Sequence, residues 1–235
     1  MGQAVGRTLM LSAFAALALA GCAEAESEPS IAELVFETLG PQSCELMPAE
    51  LDGPRLRAIT AENPGAPVAR GALSGGLEGE FFGGGVYGAD AEGGLIVGVQ
   101  GAMVAAPNDA VSFLCLLVVA LGPASPDGTE GEIVPQAEMD SAAEGSFIAP
   151  YQIWDRDEAG VARRLAIGTA ASGAAQFTRN EVGQLSGTIN VELVNPWGKG
   201  AELPPISAAL TLPSAENIIS PIPRLKRDDT QETPE

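Results

Sequence analysis

Residues 111–121 read VSFLCLLVVAL, with Ser112 the one polar position. Side chains alternate between the two faces of a strand, so a run that is apolar at successive positions must be covered on both sides. Eleven residues are too few to cross a bilayer as a helix, which takes roughly 20. The run therefore predicts the central, doubly covered strand of a core. A buried helix is the rival reading at this length.

The flanking sequence is cut to strand lengths. Twelve glycines fall between residues 71 and 101, and the apolar residues between them come in short bursts, LEGEFF and GGLIVGVQGAMV. Turn chemistry at residues 88–90, 92–94 and 107–109 separates the bursts, which predicts a β-meander. Further along, Ile189, Val191 and Leu193 alternate with Thr188, Asn190 and Glu192, the pattern of a strand with one face buried. The preceding AAQFTR and the connector at residues 180–183 complete a hairpin. ISAALTL, residues 206–212, supplies a third strand.

These elements predict an all-β chain: a single antiparallel β-sandwich or flattened barrel over residues 31–212. A short helix is expected at its start, residues 31–39, where Ser30 and Glu33 have capping-box spacing and Gly40-Pro41 forms a stop. The same residues also read as a strand. After Pro213 the chain is proline-rich and then polar, so residues 213–235 are expected to form a mobile tail.

The N-terminus has a different design. Arg7 precedes an apolar run at residues 8–18, the layout of a bacterial secretory signal. Leu19-Ala20-Gly21-Cys22 closes it, and residues 23–30 are small, acidic and proline-containing. In this stretch, about a tenth of its length, the chain resembles bacterial lipoproteins, whose lipobox has the pattern L-A-G-C. The resemblance implies cleavage before Cys22, lipidation of its thiol and acylation of its new amine, so that residues 1–21 are a signal peptide and residues 22–30 a tether. It also implies a partner, the membrane, and a place, the bacterial cell envelope. Ala23, where inner-membrane lipoproteins of enterobacteria carry Asp, leans toward the outer membrane. Two or more acyl chains anchor stably, at about 0.8 kcal/mol per buried CH₂. Cleavage at residues 18–20 or 23–25 instead would release the chain.

Composition narrows the chemistry. Removing residues 1–21 takes away Arg7 alone and leaves about 11 basic against 31 acidic residues, a balance that repels nucleic acid and anionic headgroups. No histidine is present, which removes the commonest general base and zinc ligand. Beyond Cys22, Cys44 and Cys115 form an even pair in an exported chain, and one disulfide between them is expected. A buried free Cys115 is the competing reading.

The motifs that carry chemistry elsewhere stand here in poor contexts. Gly83, Gly85 and Gly88 match the dinucleotide fingerprint, but VYGADAEGGL follows, and a helix cannot start there. The three glycines are read as a hairpin loop. Asp155, Asp157 and Gly160 open like a calcium loop, yet Ala159 and Ala166 occupy ligand positions, so a hairpin turn is expected. Glu78 and Glu80, two apart in a strand, would share a face with carboxyls roughly 7 Å apart; a solvated face is the simpler reading. Tyr151, Trp154 and Trp197, the large amphipathic aromatics apart from Tyr87, could form a stacking platform but more simply serve packing. No catalytic or metal-ligating set and no cofactor is expected. The sequence thus reads as a lipid-anchored envelope protein with a non-catalytic binding or structural β domain. A carboxylate-dependent glycan enzyme and a lipid carrier in a hollow barrel are the alternatives, and the protein or glycan partner is undetermined.

Overall fold

The computed structural model describes residues 53–62, 68–89, 93–123, 125, 128–156, 160–194 and 204–217. One helix, α1 (Gly53–Glu62), precedes eleven strands: β1 (Ala69–Gly75), β2 (Gly79–Ala89), β3 (Leu95–Ala105), β4 (Val111–Ala120), β5 (Gly128–Ile133), β6 (Phe147–Ile148), β7 (Pro150–Arg156), β8 (Ala162–Thr169), β9 (Ser172–Arg179), β10 (Leu185–Leu193) and β11 (Ile206–Asn217). The all-β expectation is met, but the sheet is mixed and not purely antiparallel, since β6 runs parallel to β5 and β11 parallel to β2.

All eleven strands belong to one sheet in the order β3-β2-β1-β11-β10-β9-β5-β6-β4-β7-β8, and β3 also pairs with β4. That last pairing extends from Ile96↔Val119 to Val104↔Val111, so hydrogen bonding runs in a closed circuit. The sheet is a flattened barrel, with the β7–β8 hairpin attached outside the circuit. Closure leaves few open edges, the usual liability of a sheet.

The core fills the circuit. Phe81, Met103, Leu116, Phe147, Tyr151 and Phe177, from six different strands, are all buried in one cluster. Phe147 meets Phe177 edge-on, with ring centroids 6.0 Å apart, the arrangement that ring quadrupoles favour. β3 and β4 are buried along almost their whole length on both faces, as the run at 111–121 predicts. Leu114, Leu116 and Val118 face inward, while Phe82, Ala102, Val104 and Phe113 form a separate cluster on the outer face.

Glycine and aromatic positions explain each other. Gly83 and Gly101 face one another across β2 and β3, and a Cβ on either would come within 2.8 Å of the tip of the Phe81 ring. Gly187 likewise leaves room for the ring of Phe177, its register partner, and Gly168 for that of Tyr151. Large rings thus lie flat over strand glycines, covering backbone that would otherwise be bare.

Several expectations are corrected. The segment 31–39 lies outside the described residues, and α1, the α-helix among the described residues, was not foreseen; Pro54 in its first turn is the sequence signal for it. Gly83, Gly85 and Gly88 lie inside β2, not in a hairpin loop. The last strand does not stop at residue 212 but continues through Pro213 to Asn217. Pro213 is tolerated because the register slips between Leu185↔Ala215 and Gly187↔Leu212, a bulge at which the missing N–H leaves no gap in the ladder. Residues 218–235 lie outside the described residues.

We expect Gly83→Ala to destabilise the protein by about 1–3 kcal/mol through overpacking. Gly84→Ala, whose Cβ would meet nothing within 4 Å, should change stability by less than about 0.5 kcal/mol. Urea unfolding of the two variants checks the contrast.

Candidate functional site

β1 pairs with β2 only from Gly79 to Gly83, and β11 reaches β2 only at Val86 and Tyr87. Between these pairings one edge of β2 at Gly84 and Gly85 has no strand partner, and a cleft of about 770 Å³ opens there. Its polar lining comes from Gln100 on β3, Arg179 at the end of β9, Gln184 in the β9–β10 turn and Ser214 on β11. None of the described lining residues is acidic, although the chain carries 31 acids.

The far wall is built by turn chemistry. The Asn180 side-chain oxygen accepts from the backbone N–H groups of Val182 (3.1 Å) and Gln184 (2.8 Å), and Gly183 takes a φ of +81° that favours glycine. The buried Tyr87 then donates its hydroxyl to the Gly183 carbonyl, docking the turn onto β2. The Arg179 guanidinium sits over the Tyr87 ring, 5.4 Å from its centroid, which presents a cation at the cleft. Gln100 has its side-chain oxygen buried without a hydrogen-bond partner.

This arrangement offers hydrogen-bonding groups and one positive charge. Among the described lining residues there is neither a pair of convergent carboxylates nor a nucleophile beside a base. Sequence reasoning did not single out Gln100, Arg179, Gln184 or Ser214. The Asn180–Gly183 turn signal was legible, but not that β2 would lose its neighbour beside it.

The residues singled out from sequence fall elsewhere. Glu78 and Glu80 are exposed, and Glu80 is ion-paired with Arg57 of α1 at 2.7 Å. Asp109, at the β3–β4 turn with φ +56°, accepts from the same guanidinium. Asp155 caps the backbone N–H of Arg156 and stands 3.8 Å from Arg163 across the β7–β8 hairpin; Gly160, φ +78°, lies in its turn and accepts from Arg156. The hairpin reading of that segment holds, and Asp157 lies outside the described residues. Among the described residues no cluster of three or more metal-ligating side chains forms.

Among the described residues the aromatics do not assemble a platform. Tyr151 faces the core and donates to the Val194 carbonyl, whereas Trp154 packs on the outer cluster and donates to Gln152 at 3.1 Å. Tyr87 is buried, and Trp197 lies outside the described residues. Cys115 is buried on the outer face of β4 and is disulfide-bonded, which corrects the free-thiol reading. Cys22 and Cys44 lie outside the described residues. Searches of protein-family models, of curated proteins and of solved structures find no match to this chain.

Burial pushes the Tyr151 phenol up to about 12, because the ionised form loses its hydration. The folded state therefore holds this proton more tightly than the unfolded chain, where a tyrosine titrates near 10. The resulting stability is fully present below pH 10 and is lost as pH rises toward 12. Tyr151→Phe should remove that part of the alkaline decline and the late phenolate absorbance step, while costing about 1–3 kcal/mol at neutral pH for the orphaned carbonyl.

Proposed function

We propose that the mature chain is a lipid-anchored protein of the bacterial cell envelope, held through Cys22, whose β-barrel binds a ligand without transforming it. The observation that carries this reading is the cleft beside Arg179, whose described lining holds no acid, in a chain whose strong negative charge would otherwise turn anions away. The ligand class that suits it is a polar molecule with an anionic group, the anion on Arg179 and neutral groups on Gln184 and Ser214.

The anchor half of the reading rests on Leu19-Ala20-Gly21-Cys22 at the end of an apolar run. The disulfide at Cys115 supports export, since such bonds persist in oxidising compartments. The filled barrel interior supports recognition at the surface over carriage of a lipid inside. The ion pair that occupies Glu80 weighs against a two-carboxylate glycan enzyme, which needs one carboxyl protonated by burial.

Expression of wild type and Cys22→Ser in a bacterium supplied with labelled palmitate tests the anchor. The wild type should fractionate with membranes and carry label; the variant should carry none and either stay unprocessed or leave the membrane fraction. A variant that is processed and sediments like the wild type contradicts the assignment.

A further inference from the structure

Neighbouring antiparallel strands are joined through alternate residues, each of which turns both its N–H and its C=O to the same partner. The phase on β2 is fixed by the Ala106 N–H, which donates to the Glu78 carbonyl at 2.8 Å in the register that the β2–β3 ladder continues. Even-numbered residues of β2 therefore face β3, and odd-numbered ones face the opposite edge. On that edge Gly83 meets Ala69 and Tyr87 meets Asn217. Gly85 stands between them, so its N–H and C=O open into the cleft, and among the described residues no strand pairs with it there. A backbone donor and acceptor side by side match the amide groups of an extended chain.

The unpaired stretch of this edge is Gly84 and Gly85 alone, about 7 Å of strand. Ala69 closes it at one end and the β11 contact at Val86 at the other, which excludes a strand running through and admits the end of a chain. We propose that the cleft takes the free carboxyl end of an extended peptide; this rests on the reading of Arg179 as an anion site. The last amide of the peptide bonds to Gly85, and its carboxylate meets the Arg179 guanidinium. That guanidinium lies over Tyr87, two residues beyond Gly85 on the same edge, and makes no ion pair among the described residues. Two further features suit a peptide better than a bare anion. The buried Gln100 side-chain oxygen has no hydrogen-bond partner, and it is an acceptor for an N–H farther up the ligand. Val182 lines the same cleft and is 79% exposed, an apolar rest for the terminal side chain.

The mature full-length protein, isotopically labelled for NMR and held in detergent, is titrated with acetyl-Ala-Ala-Leu, with the C-terminal carboxamide of the same peptide, and with glycerol phosphate, an anion that has no amide. The Gly85 amide and the Arg179 Nε–H signals are followed. The free-acid peptide should move both signals in one saturable transition. The carboxamide, and the free acid on Arg179→Gln, should each bind about tenfold more weakly, the loss of one charge-assisted hydrogen bond. If the free acid binds no more tightly than glycerol phosphate, or moves Arg179 and leaves Gly85 unmoved, the peptide assignment falls and the anion site stands. If neither anion moves Arg179, if the carboxamide binds as tightly as the free acid, or if Arg179→Gln binds like the wild type, both fall.

Discussion

The pairing of β3 with β4 is the contact on which the rest of the structure depends. Without it the sheet would be an open ribbon of eleven strands, with β3 at one edge and apolar side chains on both of its faces. With it, hydrogen bonding closes, the inward residues of all eleven strands converge on one core, and β4 takes a place that suits its sequence. Closure also sets the size of the interior. Few aromatic residues are available, and the rings of Phe81, Phe177 and Tyr151 gain room by lying over glycines of neighbouring strands.

The same geometry creates the cleft. β1 is seven residues long and β2 eleven, so β2 outruns its neighbour, and β11 swings over to meet it only at the far end. What opens between them is lined by backbone and neutral side chains, with Arg179 held over Tyr87. On a molecule dominated by carboxylates, that guanidinium gives the described lining of the cleft a positive charge.

Sequence legibility followed how local each signal was. The alternation in Ile189, Val191 and Leu193 and the Asn180 turn gave the β9–β10 hairpin, because period and turn chemistry are local. The unbroken apolar run gave the double burial of β4 for the same reason. β5 is polar and β6 is only two residues long, and both escaped, while of β7 and β8 only the hairpin turn between them was legible. Pro213 was read as a terminator because the bulge that accommodates it depends on the partner strand β10. The fingerprint glycines at 83 and 85 lie inside β2, and their purpose, clearance for Phe81 and Leu212, needs the register of β2 against its neighbours. The cleft was illegible in principle, since it arises where two strands distant in sequence fail to meet.

The central claim joins a lipid-modified N-terminus to a disulfide-closed barrel, and the intact mass of the protein extracted in detergent from a bacterial envelope tests both together. The account predicts a chain beginning at Cys22, heavier by a diacylglycerol and an amide-linked acyl group and lighter by the two hydrogens of one disulfide. A chain without lipid mass, or one beginning at another residue, would contradict it.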